Sequence, residues 1–263
     1  MAREIIDFHT HPWLRDEDDI CYYRDKTGNP AETFRSELLA CGITRAVGAP
    51  IVRRKMTSTE EYVAGSFQAN DDALALRDQL GDFYIPGMTI HPADVRGSCE
   101  QLERMHRAGV RLLGEMVPYL YGWGERSFAH EGLDEILDLA EQYSIVVNFH
   151  SMGARADEYD MIKRHPGVIF VGAHPGERPV YMRHLEWLHE LPNYYLDLSG
   201  TGLFRHRMLS YGVRQVGAER FLFGSDLPVC SPGMNVGGVD YEPITDAERE
   251  LIFAGNAKRL LGL

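Results

Sequence analysis

Eight short runs rich in β-branched and aromatic residues punctuate the chain, at 4–9, 44–49, 83–90, 112–117, 145–150, 168–173, 194–198 and 221–224. Each ends in Gly, Pro or a polar residue, which is the punctuation of a strand. Their starts lie about 31 residues apart, close to the length of one strand–helix–strand unit. Amphipathic segments fill the intervals. Ser98 with Gln101 reads as a capping box ahead of Leu102 and Met105, with Gly109 at the C-terminal cap. Leu133, Ile136, Leu137 and Ala140 follow the 3.6-residue period, and Thr245 with Glu248 caps a last helix bearing Leu251, Ile252 and Leu260. Runs 145–149 and 168–171 are apolar at almost every position, as parallel strands buried on both faces must be.

Eight such units in one stretch of this length predict an α/β fold, a (β/α)8 TIM barrel formed by a single domain over 1–263. The competing open doubly wound sheet lacks its Gly-x-Gly-x-x-Gly turn after the first run. Long loops are expected at 12–29, 119–130 and 227–244, all following strand C-termini, the face on which barrels of this kind build their sites.

Composition narrows the partners. The 27 basic and 39 acidic residues give a net charge of −12, which repels phosphate backbones and anionic lipid, so no nucleic-acid and no membrane partner is expected. The partner expected is a small-molecule substrate. Four scattered cysteines without a Cys-x-x-Cys pair suit reduced thiols and a cytoplasmic location, and no run approaches the length of a membrane span.

Five of the eleven histidines, His9, His11, His91, His150 and His174, fall at or just beyond strand ends. His9 and His11 are two residues apart in an extended run, so their rings point the same way, either to share a metal or to cap the barrel through hydrogen bonds. His150 ends VVNFHS, His174 ends the run in FVGAHPG, Glu115 ends that in RLLGEMVP, and Asp226 that in FLFGSDLP. Imidazoles and carboxylates without thiolates suit Zn²⁺, Mn²⁺, Fe²⁺ or Co²⁺. His91 begins a His-Pro turn and either binds substrate or merely ends its strand. Arg155, Arg178 and Arg205 follow strands five to seven and are candidates to clamp a substrate carboxylate. Tyr22, Tyr23, Tyr119, Tyr121 and Trp123 crowd the loops, as a pocket lining or as loop packing.

The segments HTH, FHS, AHPG, GSDLP and IFAGNAKRLLGL, with NDDALALRDQLGDFYIPGMTIHP leading into strand three, resemble the amidohydrolase superfamily. The resemblance is to the branch that includes aminocarboxymuconate-semialdehyde decarboxylase-like proteins, and it runs along essentially the whole chain. It implies that His9, His11, His150 and Asp226 surround a divalent metal, Zn²⁺ first among the candidates, with His174 a second-metal ligand or a catalytic group. Members with two metals bridge them by a carbamylated lysine or a glutamate at the end of strand four. Glu115 stands there, and one or two ions per chain are expected. The first expectation is hydrolysis of an ester, lactone, amide or phosphoester, with Asp226 carrying the proton and His174 or an arginine at the developing oxyanion. The alternatives are metal-dependent, non-oxidative decarboxylation of a small carboxylic acid, and a metal-binding scaffold without turnover. A homodimer is a further implication of the resemblance.

Overall fold

The computed structural model describes residues 3–51, 56–123 and 128–263. Eight strands, β1 (Ile6–Thr10), β2 (Arg45–Gly48), β3 (Tyr84–Met88), β4 (Leu112–Met116), β5 (Val146–His150), β6 (Phe170–Ala173), β7 (Tyr194–Asp197) and β8 (Phe221–Leu222), pair in that order and all in parallel. The ring closes between its ends. Phe8 N donates to Phe223 O, Asp226 N to His9 O and His11 N to Leu227 O, each at 2.8 Å, so the chain beyond β8 lies along β1. Parallel neighbours require crossovers, and each strand is followed by a helix. These are α1 (Pro30–Ala40), α2 (Thr59–Leu80), α3 (Val95–Arg107), α4 (Leu133–Gln142), α5 (Ala156–Arg164), α6 (Arg178–Glu190), α7 (Met208–Val216) and α8 (Pro232–Asp240). The barrel read from the spacing of the apolar runs is the fold observed.

Two apolar layers hold it. Ile6, Phe8, Val47, Leu112, Val146, Val171, Tyr195 and Leu222 form one buried cluster with the partly buried Ile85, a contribution from all eight strands that only the inside of the ring can collect. Ala254, Ala257 and Leu261 of the C-terminal segment join it. A larger cluster fills the space between the sheet and the helices. No helix among the described residues is long and apolar enough to cross a membrane.

Two local expectations change. The box placed at Ser98 lies inside α3. The true N-cap is Asp94, which accepts from Gly97 N at 2.9 Å, while Ser98 Oγ donates to His91 O at 2.8 Å and ties the end of strand three to the helix. The stretch 227–244 contains α8, which begins on Pro232 in spite of the paired Gly237 and Gly238. The loop at 119–130 is described except for 124–127. Thr245 and Glu248 do form their reciprocal box, at the head of α9 (Asp246–Glu250).

Under the helices after β5 and β6, Tyr194 donates to His184 Nδ1 at 2.7 Å, His184 Nε2 faces Ser151 Oγ at 3.4 Å, and Ser151 donates to Glu158 at 2.9 Å. Burial pushes the His184 pKa down to about 3, so the folded ring stays neutral across a range in which the unfolded ring, near 6.5, takes a proton. The stability this neutral ring contributes is full above pH 6.5 and is lost as pH falls toward 3. The wild type will therefore lose stability on acidification more steeply than His184→Gln, by up to about 1.4 kcal/mol per pH unit. Melting curves of both proteins between pH 7.5 and 4.5 check this; parallel slopes contradict it.

Candidate metal centre

At the C-terminal end of the barrel, β1 delivers His9 and His11, β4 delivers Glu115 and β5 delivers His150. His174 and Asp226 follow β6 and β8. The structure brings all six together. His9 Nε2 lies 3.2 Å from His11 Nε2 and 3.7 Å from Asp226 Oδ1, and His11 Nε2 lies 3.4 Å from the same carboxylate oxygen. Glu115 stands between two histidine pairs. Its Oε2 is 3.6 Å from His9 Nε2 and 3.5 Å from His11 Nε2, and its Oε1 is 2.9 Å from His150 Nδ1 and 3.4 Å from His174 Nε2. Two sets of donors, His9 with His11 and Asp226, and His9 with Glu115 and His174, are each compact enough to hold one ion.

The backbone is shaped to this end. The pairing registers of β1 with β2 and β4 with β5 slip between Asp7 and Thr10 and between Leu113 and Met116, the irregularity that re-aims side chains beside an active site. Before Glu115, Gly114 has φ +115° and a Cβ there would lie 2.0 Å from Asn148 O, so no other residue lets β4 approach β5 so closely. His174 and Asp226 adopt φ of +71° and +65°, a left-handed conformation that costs a side-chain-bearing residue on the order of 1–3 kcal/mol. The two residues at the rim of the site are thus held in strained backbone.

The outer nitrogen of three histidines is anchored, which leaves the inner one free to coordinate. His11 Nδ1 donates to Ala49 O at 3.1 Å, because a carbonyl only accepts. His9 Nδ1 donates to Asp197 Oδ2 at 2.9 Å. Ser199 Oγ donates to Asp197 Oδ1 and so accepts from His174 Nδ1 at 3.1 Å. Asp197, fully buried at the end of β7, therefore braces one histidine from each donor set, and Asn148 Nδ2 and Ser199 N also donate to it. Neither Asp197 nor Ser199 was anticipated from the sequence. The signal was available in YYLDLSG, where a carboxylate ends a strand as Asp226 does, but spacing alone names no partner.

Burial by itself would raise the pKa of Glu115, yet the facing His9 and His150 outweigh it and hold the carboxyl well below its usual range. Burial would likewise strip His9 and His11 of protons, and the surrounding carboxylates reverse this, taking His11 up to about 9. A buried cluster of anionic carboxylates that draws protons onto its imidazoles is a cluster that exchanges them for a divalent cation. The donor set of nitrogen and oxygen ligands fits such an ion.

The other candidates lie elsewhere. His91 is buried with Nε2 on Tyr121 O at 2.8 Å and Nδ1 accepting from Ala93 N at 3.2 Å, so both ring nitrogens serve the turn. Arg155 sits at the cap of α5 and pairs with Asp157 at 3.1 Å, Arg205 pairs with Glu177 at 2.8 Å, and Arg178 opens α6 beside a different cavity. Tyr22 and Tyr23 are exposed, Tyr121 and Trp123 are buried, and Tyr119 packs edge-on against His150 at 5.2 Å.

Replacing Asp197 by Asn keeps the shape but removes the charge that braces His9 and His174. Metal affinity is expected to fall by about 10–100-fold, with the melting curve of a folded barrel retained. Competition with a chelator measures it, and unchanged affinity contradicts the role.

The whole chain has relatives of the same shape. The 5-carboxyvanillate decarboxylase LigW from Sphingomonas paucimobilis superposes with a TM-score of 0.73 at 16% identity, covering 100% of each chain. A 2,6-dihydroxybenzoate decarboxylase from Rhizobium gives 0.74 at 16%, covering 99% of each. A 5-carboxyvanillate decarboxylase from Novosphingobium aromaticivorans, complexed with manganese and 4-hydroxy-3-methoxy-5-nitrobenzoic acid, gives 0.69 at 15%, covering 88% of this chain and 80% of that one. No curated protein matches significantly by sequence. The family model for amidohydrolases matches residues 6–263, and the chain belongs to that family.

Proposed function

We propose that the protein is a metal-dependent decarboxylase of a small hydroxylated aromatic acid. The observation that carries this reading is the joint one: an all-nitrogen-and-oxygen donor cluster sits on a barrel that matches, end to end, structures described as decarboxylases of such acids, one of them with manganese. This favours the second of the two chemistries expected from the sequence over hydrolysis, and manganese alongside zinc as the ion.

His9, His11, His150, His174, Glu115 and Asp226 would hold the metal, which supplies Lewis acidity toward the oxygens of the substrate when bound. The remaining chemistry belongs to the chain. His150, His174 and Asp226 keep side-chain exposures of 22%, 13% and 10%, against 4% or less for His9, His11 and Glu115, so substrate meets the site from the rim they form. Tyr119, against His150 and open to solvent, offers an aromatic face to a substrate ring. In the reaction the bond between ring carbon and carboxylate breaks and its electron pair stays on the ring. Carbon dioxide leaves, and a proton from Asp226 or His174 closes the ring C–H bond. Each turnover consumes one proton.

Hydrolysis remains the second reading, because Glu115 presents one oxygen to each histidine pair, as a residue bridging two ions must. Two paired ions suit activation of water.

Incubating the manganese-loaded protein with a panel of hydroxybenzoates in oxygen-18 water separates the two. Carbon dioxide and the decarboxylated phenol in equal amounts are expected, with turnover lowered by about 10²–10⁴ in Asp226→Asn. Turnover of esters or lactones with label in the product acid, and no carbon dioxide from any acid of the panel, would contradict the proposal.

A further inference from the structure

A separate cavity of about 390 Å³ lies between α6 and α7, and none of its lining residues belongs to the metal centre. Four arginines, Arg178, Arg205, Arg207 and Arg214, face it together with His206. Among the described residues no carboxylate lines it, in a chain whose net charge is −12. All four arginines are exposed, so solvent and salt screen their mutual repulsion, and an anion seated among them would relieve what remains.

The guanidinium groups are available. Arg205 is paired with Glu177, but among the described residues no hydrogen bond or ion pair engages the side chains of Arg178, Arg207 or Arg214. The start of α7 is already satisfied: the Glu242 carboxylate accepts from Arg207 N at 3.1 Å and from Ser210 N at 3.0 Å. An anion in the cavity is therefore read by side-chain forks, whose planar donors match carboxylate, phosphate or sulfonate oxygens in pairs.

The rest of the lining is apolar and aromatic. Tyr181 is buried and fixed by its hydroxyl, which donates to Met208 O at 3.1 Å, and Tyr211 stands half-open at the cavity with Met182 nearby. Thioether and ring surfaces of this kind accept a flat hydrophobic body. The volume is that of a small organic ligand and exceeds what a lone inorganic anion fills.

We propose that the α6–α7 cavity binds an aromatic compound carrying two or more anionic groups. This site is independent of the reaction assigned to the metal centre.

Naphthalene-1,5-disulfonate, which carries a ring and two anionic groups and is a poor metal ligand, is the probe. Calorimetric titration of the manganese-loaded protein at low salt is expected to show one site per chain, weakening as salt is added. Naphthalene-1-sulfonate and inorganic sulfate are each expected to bind at least about tenfold more weakly, and Arg178→Ala/Arg214→Ala to lose about tenfold or more. Arg178→Lys/Arg214→Lys keeps the charge without the forks and is expected to fall between. Arg96→Ala, on α3 and paired with Glu100, is the control and is expected to bind as the wild type does. The proposal is overturned by the absence of saturable binding, by equal binding in the double alanine variant, or by a monosulfonate that binds as tightly as the disulfonate. It is overturned equally if the face proves to join two copies of the chain, seen as a dimer that the double variant dissociates, with no probe binding in either form.

Discussion

Buried negative charge at the mouth of the barrel is the constraint on which the site depends. Glu115, Asp197 and Asp226 are withdrawn from water within one cluster, where an uncompensated carboxylate costs several kcal/mol. Four imidazoles from three strands face them, and the network is arranged in layers. Asp197 and the Ala49 carbonyl hold the outer nitrogens of His9 and His11, and Ser199 relays Asp197 to His174. The inner nitrogens then converge on Glu115 and Asp226. Removing any one carboxylate takes away part of what holds protons, or a cation, on the imidazoles it faces, so the members of this cluster depend on one another.

The fold serves that cluster at some cost to itself. A closed parallel ring needs every strand to run the same way, which brings all eight C-termini to one face. Glycine at 114 removes the side chain that would block β4 from β5, and His174 and Asp226 accept left-handed backbone. The hydrogen bond from Asp226 N to His9 O at 2.8 Å both closes the barrel and fixes the strained residue, so the seam of the ring and the edge of the site are one structure. Stability is concentrated instead in the two apolar layers, which none of the donor residues enters.

Much of this was legible in the sequence, because the period of the apolar runs is a property of the fold itself. The residues that end those runs share a face once the barrel is formed, and so the sequence alone places His9, His11, Glu115, His150, His174 and Asp226 together. What strand position does not carry is lateral direction. Arg178 follows strand six as His174 does, yet it opens a helix and turns toward α7, and Arg155 finds a carboxylate two residues away. His91 shares the strand-end position but is saturated by backbone groups, a matter of local turn geometry. Asp197 escaped notice because its importance lies in contacts across the barrel, to residues 188 and 49 positions earlier in the chain. The helix α8 was hidden by glycines that favour no structure on their own, and packing decides it.

Anomalous diffraction at the manganese edge, from crystals of the protein grown with manganese, tests directly whether the carboxylate and imidazole cluster is built around a cation. A peak within about 2 Å of His9 Nε2, His11 Nε2 and an Asp226 oxygen, with Glu115 in contact, is the expected result. Metal-replete crystals with the cluster intact and no anomalous scatterer among these side chains would contradict it.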